Sequence, residues 1–301
     1  MSPFKNIICI ALTALLLAPL APLSALHAAE QATLAPILQP FVDKQTLAGA
    51  VVLVADPNKV LDLEAVGWQD IAAKKPMRTD SLFWIASQSK PLTCTAMMIL
   101  VDEGKVSVDD PVEKYLPEFK GQMFVSEKDA EHQLLKKPQR PMRIGDLMSH
   151  TSGLPSSTPF LKPTLDALPL EKAVLMNTVL PLQAEPGTHY QYSNPGMSTV
   201  GRLVEVISGM PYDRFMDERI FQPLGMKDTT FWPSDEQLSR LAKSYKPAAD
   251  KTGLEETTIG GLRYPLSDRT RYPFPAGGLF STAARSSLLS CAVESRIRDC
   301  L

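Results

Sequence analysis

A serine and a lysine three residues apart, Ser87 and Lys90, carry the side chains of a nucleophile and of an amine that could activate it. On a helix, residues i and i+3 share a face, so the Lys90 amine can approach the Ser87 hydroxyl. Burial lowers the pKa of a lysine, and the neutral amine can then take the serine proton. Backbone N–H groups at the helix start would stabilise a developing oxyanion. The spacing predicts nucleophilic catalysis, although an ordinary helix start can carry the same letters, as Ser2 and Lys5 do near the N-terminus.

A second polar group, Tyr192 and Asn194, comes just before an amphipathic helical pattern. A tyrosine can relay a proton between a serine and a leaving group, and an asparagine amide can hold both a lysine and a substrate carbonyl. A structural role is also open, in which Tyr192 packs in a turn, Ser193 or Asn194 caps the helix, and Pro195 takes a first helical position. The two roles are compatible.

A hairpin would lie ahead of the serine. Residues 48–54 and 60–66 are rich in β-branched and small apolar residues and flank the turn-forming Asp56-Pro57-Asn58, which predicts two antiparallel strands. Residues 121–141 are polar and residues 245–275 are rich in proline and glycine, so we interpret both as surface segments without strands. The hairpin is thus predicted to have no later strands to extend it.

Helices would carry the two polar groups. Apolar residues recur at helical spacing after Gln88 until Gly104 ends the pattern, and again over 195–208 until Gly209 ends it. Residues 143–150 predict a shorter helix that ends at His150, which we expect to hydrogen-bond the backbone in a turn. The body of the protein is therefore predicted to be mostly helical.

Five further segments surround these motifs in a recognisable order: Ser81–Ala86, Leu147–Leu154, Pro186–Gly187, Pro223–Met226 and Pro275–Thr282. With the Ser87 and Tyr192 motifs, they resemble the serine β-lactamase and penicillin-binding superfamily, in its class C β-lactamase-like and family VIII esterase-like branch. The resemblance extends from about residue 35 to 284.

This resemblance implies an α+β fold of the β-lactamase/transpeptidase type, with an antiparallel sheet and a helical domain. It also implies that Ser87 forms an acyl-enzyme, that Lys90 activates Ser87, and that Tyr192 is the base or proton shuttle. Asn194 would contact Lys90 and the substrate. The resemblance implies no metal and no organic cofactor.

The family resemblance further implies a third motif, Lys-Thr-Gly or a variant, on a strand that returns after the helical region and supplies a second oxyanion N–H. Lys251-Thr252-Gly253 matches the letters, but its neighbours predict no strand and it precedes the 275–282 segment, so we interpret it as a polar turn. The resemblance stops near Ala284. We expect residues 285–301 to be an aberrant tail, after a frameshift or premature stop, with the C-terminal strands and closing helix missing. Losing one oxyanion donor costs on the order of 3–4 kcal/mol, so low activity and low stability are expected.

The first 29 residues predict a secretory signal, because Lys5 precedes the apolar run 7–17 and small residues follow at 25–29. We therefore expect a periplasmic or secreted protein, with a signal at 1–29, an incomplete hydrolase domain at 30–284 and the tail at 285–301. An uncleaved anchor is the alternative. The 31 basic and 33 acidic residues give a formal net charge of −2, which favours neither nucleic acid nor an anionic membrane surface as a partner.

The leading interpretation is an exported serine hydrolase that cleaves an ester, a β-lactam or a peptide-like amide through an acyl-enzyme on Ser87. We rank small esters first, then D-amino-acid peptides, then β-lactams. The rival hypothesis is a truncated, non-catalytic remnant of the same family. A third possibility is a pocket that a partner chain completes, and the oligomeric state is left open.

Overall fold

The computed structural model describes residues 33–56, 59–159 and 163–285. The predicted signal at 1–29 and the predicted tail beyond Arg285 lie outside these ranges. The described elements belong to one compact unit that begins at Ala35. In these ranges no helix combines the length and the apolar character needed to cross a lipid bilayer.

The helices are α1 (Ala35–Asp43), α2 (Ser89–Asp102), α3 (Ile144–Met148), α4 (Leu170–Leu175), α5 (Asn194–Ser208), α6 (Tyr212–Met216) and α7 (Asp235–Ser239). The strands are β1 (Gly49–Ala55), β2 (Val60–Asp70), β3 (Lys75–Pro76), β4 (Phe83–Trp84), β5 (Phe124–Lys128), β6 (Gln133–Lys136), β7 (Ser244–Pro247), β8 (Leu254–Thr257) and β9 (Phe280–Ser281).

The predicted N-terminal hairpin is confirmed. Strands β1 and β2 pair antiparallel, with Gly49 opposite Gly67 and Val54 opposite Asp62. At the turn the Asp56 carboxylate accepts the Lys59 N–H at 2.9 Å. Strand β2 continues beyond its predicted end and pairs with β3, which gives a three-stranded sheet in the order β1-β2-β3. Strand β1 is therefore an edge of this sheet among the described residues.

The interpretation of residues 121–141 and 245–275 as segments without strands is wrong. Strands β5 and β6 pair with each other, as do β7 and β8, in two hairpins separate from the first sheet. The sequence pattern did not predict the β7–β8 hairpin, because cross-strand ion pairs, rather than alternating apolar residues, connect its strands. Lys246 pairs with Glu255 at 2.8 Å, and Lys243 just before β7 pairs with Glu256 at 2.8 Å. The Lys251-Thr252-Gly253 turn is confirmed, but it connects two strands that we had not expected.

Helices α2 and α5 pack against each other at the centre of the core. Their facing residues are apolar and recur at the predicted helical spacing, because this period places them on one face of each helix. The fully buried members are Leu92, Ala96, Met97 and Leu100 of α2, and Val200, Leu203 and Val204 of α5. Gly209 ends α5 in the left-handed conformation, at φ 71°, as its position at the end of the pattern predicted. This core fixes the beginning of α2 relative to the beginning of α5.

Residues 275–279 are buried beside both helices and are held by hydrogen bonds from α2 and from the residues just before it. The Thr93 hydroxyl donates to the Pro275 carbonyl at 2.9 Å, and the Ile85 N–H donates to the Leu279 carbonyl at 3.0 Å. Pro275 can lie this close to α5 because Gly201 has no side chain. A Cβ atom at Gly201 would lie 2.4 Å from Pro275 Cγ. We refer to residues 275–279 as the strap.

We expect Gly201→Ala to destabilise the protein because its methyl group overlaps Pro275. Overpacking of this kind costs about 1–3 kcal/mol, and the better helix propensity of alanine returns only about 1 kcal/mol. Thermal denaturation should show a lower Tm, whereas Val206→Ala on an exposed face of α5 should change the Tm little. A Gly201→Ala variant more stable than the wild type would contradict this account of the strap.

A buried ion pair fixes the chain that leads into the strap. Arg271 and Asp166 are 2% and 0% exposed, and Nε of Arg271 donates to the Asp166 carboxylate at 2.6 Å. The Arg263 N–H donates to the same carboxylate at 2.9 Å, and Arg271 also donates to the Phe231 carbonyl at 3.2 Å. Buried charges need such partners, because an unpaired buried charge is strongly destabilising. The pair therefore anchors the long segment between β8 and the strap.

Candidate active site

Ser87 lies in a tight turn that leads into α2. Residues Ala86–Gln88 form a 3₁₀ turn, and the α-helix itself begins at Ser89. Ala86 has a φ of 45°, a left-handed conformation that is strained for a residue with a Cβ atom. The Ser89 hydroxyl stabilises the turn, since it donates to the Ala86 carbonyl at 2.7 Å and accepts the Leu279 N–H at 3.2 Å. The turn leaves Ser87 exposed at the surface of the site.

The structure brings three of the predicted site residues together around the Ser87 hydroxyl. Nζ of Lys90 donates to Ser87 Oγ at 3.0 Å, and the Tyr192 hydroxyl donates to the same oxygen at 2.7 Å. Nζ of Lys90 also lies 4.6 Å from the centre of the Tyr192 ring. Ser87 and Lys90 share one turn of chain, whereas Tyr192 comes from the segment before α5, 105 residues away.

Lys90 is a buried amine without a neighbouring carboxylate. Lys90 is 6% exposed, and Nζ donates its second hydrogen bond to the Ala276 carbonyl of the strap at 2.6 Å. No carboxylate of the described residues lies within ion-pair distance of Nζ. Burial lowers the pKa of Lys90 below its usual value, and the hydrogen bond and charge of Tyr192 only partly oppose this shift. The site therefore favours a neutral amine more than water does.

Tyr192 is 40% exposed, and its hydroxyl faces Ser87. Burial raises the pKa of this phenol, but the hydrogen bonds with Lys90 and Ser87 and the charge of Lys90 together outweigh burial and lower the pKa. Lys90 and Tyr192 thus form a coupled pair in which either group can lose a proton below its usual pH range.

The described residues show no hydrogen bond between Asn194 and Lys90, whose amine donates to Ser87 and to Ala276. Asn194 is the first residue of α5, and its backbone N–H donates to the Ser156 carbonyl at 3.2 Å. Lys90 satisfies its remaining donor on the Ala276 carbonyl instead. Ser193 caps α5, with its hydroxyl accepting the Gly196 N–H at 2.9 Å, as the structural alternative for this segment anticipated. Asn194 is half-buried, and its contact with the substrate stays a prediction.

His150 is the residue of this site whose role the sequence reasoning missed. Its predicted backbone hydrogen bond is confirmed, because Nδ1 accepts the Ser193 N–H at 3.2 Å. Its ring, however, also packs on Tyr192, with ring centres 4.7 Å apart and planes inclined by 37°. The two residues are 42 positions apart in sequence, so no local spacing indicates this contact. The position of His150 within one of the resemblance segments was the only available signal.

Ser87 also lines a cavity of about 920 Å³ between α2 and the edge strand β1. The wall is mainly apolar, which suits a hydrophobic group attached to a reacting carbonyl. Its apolar residues include Val51, Leu53, Phe83, Trp84, Ile85, Pro91 and Leu92. Within the described ranges no three His, Cys, Asp or Glu side chains are grouped so that they could hold a metal ion.

Comparisons with known proteins identify the family and the fold of this chain. The family model named Beta-lactamase matches residues 34–287. Protein Rv1367c of Mycobacterium tuberculosis is 33% identical over 248 residues, which are 80% of this chain and 61% of that protein. Lovastatin esterase of Penicillium rubens is 31% identical over 257 residues, which are 81% of this chain and 63% of that enzyme. The solved structure of EstCE1, described as a hydrolase with promiscuous acyltransferase activity, superimposes with a TM-score of 0.71 at 28% identity. The superposition covers 84% of this chain and 69% of EstCE1.

The structural likeness confirms the predicted fold class, an α+β fold of the β-lactamase/transpeptidase type. The chain spans about three fifths of the length of the relatives it matches, 61% of Protein Rv1367c and 63% of lovastatin esterase.

Proposed function

This chain belongs to the Beta-lactamase family, and we propose that it is a serine hydrolase that cleaves small carboxylic esters through an acyl-enzyme on Ser87. One observation carries the proposal: a buried amine and a phenol both donate hydrogen bonds to the same exposed serine hydroxyl. A serine is a weak nucleophile unless a neighbouring base removes its proton, and Lys90 and Tyr192 are placed to do so.

In the proposed reaction the Lys90–Tyr192 pair first loses one proton, so that one of the two groups can accept rather than donate. Ser87 Oγ then attacks the ester carbonyl carbon and passes its proton to the pair. When the tetrahedral intermediate collapses, the bond to the alcohol oxygen breaks and the leaving alcohol takes that proton. Water then attacks the acyl carbon and passes a proton to the pair, the bond to Ser87 Oγ breaks, Ser87 Oγ takes that proton back, and the carboxylic acid leaves. The backbone N–H of Ser87 is proposed as one donor to the oxyanion.

The substrate class follows from two kinds of support. The wall of the 920 Å³ cavity beside Ser87 is mainly apolar, and no cationic side chain of the described residues lines it. A neutral ester with an apolar acyl group suits such a wall better than a substrate that carries a carboxylate. A relative points in the same direction, because it is named lovastatin esterase. We keep the order small esters, D-amino-acid peptides, β-lactams for the proposal.

Esterase activity should rise with pH, because the reactive form of the pair has lost one proton. Burial lowers the pKa of Lys90, and the hydrogen bonds to Tyr192 lower the pKa of the phenol. The midpoint of the rise should therefore lie below the ordinary tyrosine pKa of about 10, and kcat/KM should fall about tenfold per pH unit below that midpoint. A pH series with p-nitrophenyl butyrate measures this. Activity that falls as pH rises from 6 to 9, or that has its midpoint above the ordinary tyrosine pKa of about 10, would contradict the assignment of the pair.

The test of the function itself compares three substrates with the full chain: p-nitrophenyl butyrate, a peptide ending in D-Ala-D-Ala, and a chromogenic cephalosporin. The proposal predicts the highest kcat/KM for the ester. Faster turnover of the peptide or the cephalosporin would reverse the order of substrates and leave the nucleophile in place. A folded protein that turns over none of them would favour the non-catalytic remnant instead.

We also propose that the protein is exported to the periplasm or secreted, on the composition of residues 1–29. N-terminal sequencing after expression in a bacterial host should find a mature chain that begins near residue 30. A full-length chain retained in the cytoplasm would contradict this proposal.

A further inference from the structure

Tyr192 must keep its hydroxyl on Ser87 although little of the protein surrounds it. Its side chain is 40% exposed, and it lies on an irregular segment before α5 rather than within a helix or strand. A phenol that carries a proton to and from Ser87 has to stay within hydrogen-bond reach during the reaction. Its ring therefore needs a support that the hydroxyl bond alone does not provide.

His150 contacts the chain on both sides of Tyr192. Its backbone carbonyl accepts the Gln191 N–H at 2.7 Å, and its Nδ1 atom accepts the Ser193 N–H at 3.2 Å. Its ring lies against the Tyr192 ring, with centres 4.7 Å apart. A single residue thus holds the residue before Tyr192, the residue after it and the aromatic ring itself.

The backbone conformation of His150 allows it to contact the chain on both sides of Tyr192. His150 follows the end of α3 and has a φ of 60°, in the left-handed region where histidine, asparagine and aspartate are over-represented among residues with a side chain. Because Nδ1 accepts a hydrogen bond, the proton of the neutral imidazole is on Nε2. Burial and the nearby charge of Lys90 lower the pKa of His150, which favours this neutral form.

We infer that His150 is a positioning residue for the reaction, which holds Tyr192 against Ser87 by bonding the backbone on both sides of the phenol and packing on its ring. The inference rests on the proposed function of Tyr192 as the proton carrier. Within the described residues His150 makes no hydrogen bond to Ser87, so its effect on the reaction is expected to pass through Tyr192.

The experiment compares wild type, His150→Phe, Tyr192→Phe and the double variant with p-nitrophenyl butyrate, and it records kcat, KM and Tm for each. His150→Phe keeps a ring but loses the Nδ1 acceptor. Misplacement of a catalytic group by about 1 Å can cost on the order of 100-fold, so we expect kcat to fall about 10- to 100-fold with little change in KM. His189→Ala, which removes the exposed histidine of the same segment, is the matched control and should stay within about twofold of wild type.

The double variant separates positioning from general stability. If His150 acts through the phenol, His150→Phe should change the activity of Tyr192→Phe by less than about twofold, because the two losses are not independent. An equal loss in both backgrounds, or wild-type activity in His150→Phe, would overturn the inference. If His150→Phe does not fold, His150→Asn replaces it, since asparagine tolerates the same φ but has no ring to pack on Tyr192, and the same two comparisons decide.

A failure of the proposed function looks different in this experiment. In that case the wild type itself shows no turnover, or Tyr192→Phe is as active as the wild type. The positioning inference then falls together with the proposal on which it rests. With an active wild type and an impaired Tyr192→Phe, only the His150 variants decide.

Discussion

Replacing Ser87 with alanine is expected to lower kcat/KM for p-nitrophenyl butyrate by about 10⁴-fold or more, which is the usual scale for loss of a catalytic nucleophile. The hydroxyl is the atom on which the hydrogen bonds of Lys90 and Tyr192 converge. Without it, no covalent intermediate can form, and only the oxyanion donor and substrate binding contribute to the rate. Steady-state kinetics with purified protein measure the loss.

The structural cost of the Ser87→Ala change should be small, because Ser87 is exposed and the turn is held by the Ser89 hydroxyl rather than by Ser87. The matched control is Thr95→Ala, which removes another hydroxyl from α2 at a site whose hydrogen bond goes to the Pro91 carbonyl. This control should keep both its activity and its Tm. Activity in Ser87→Ala within tenfold of wild type would remove Ser87 from the nucleophile role.

The second large effect is expected from Lys90→Met, which we predict to lower kcat/KM by about 10³-fold, within the usual range for loss of general acid–base catalysis. Methionine fills a similar space but cannot donate to Ser87 or to the Ala276 carbonyl. Without the nearby amine, the pKa of Tyr192 should also return towards its usual value. The remaining activity should then rise at a higher pH than in the wild type.

The folding cost of Lys90→Met is the sum of two opposed effects. The Ala276 carbonyl loses a donor, which destabilises the folded state, whereas removing an amine that is buried without a carboxylate partner is favourable. We therefore expect a modest change in Tm beside the large change in rate. Lys105→Met, just beyond α2 on the surface, is the control and should change neither quantity appreciably. A Lys90→Met variant with an unchanged rate and pH profile would rule out the amine as an activating group.

The part of the site that is local in sequence could be predicted. Ser87 and Lys90 are three residues apart, so the spacing predicted their approach, although Ser87 lies in the 3₁₀ turn before α2 rather than in the α-helix. The meeting of Tyr192 with Ser87 did not follow from geometry, because 105 residues separate them, and it was predicted only through the family resemblance. The capping role of Ser193 followed from residue type at the start of an amphipathic pattern.

The contacts that sequence reasoning got wrong or missed are long-range contacts made by backbone atoms or by rings. The acceptor for Lys90 is the carbonyl of Ala276, 186 residues away. Every residue has a backbone carbonyl, so residue type does not indicate which one accepts. His150 contacts the residues on both sides of Tyr192 through its own carbonyl and Nδ1. These contacts depend on a backbone φ of 60°, which the sequence pattern does not predict.

In the fold, too, some elements could be predicted from the sequence and others could not. Apolar runs predicted β1 and β2, and helical periodicity predicted α2 and α5, because burial dictates those patterns. Strands β7 and β8 were missed because they lie on the surface and have little apolar alternation, with the pairs Lys246–Glu255 and Lys243–Glu256 between them. Exposed strands depend on their partner more than on their own composition.

The most direct test of the account is to find the residue that a fluorophosphonate probe modifies in the full-length protein, by mass spectrometry of its peptides. We expect one adduct, on the Ser87 hydroxyl. This adduct should be absent in Ser87→Ala and should form much more slowly in Lys90→Met. An adduct on any other residue, or one that persists in Ser87→Ala, would contradict the central claim that Ser87 is the nucleophile.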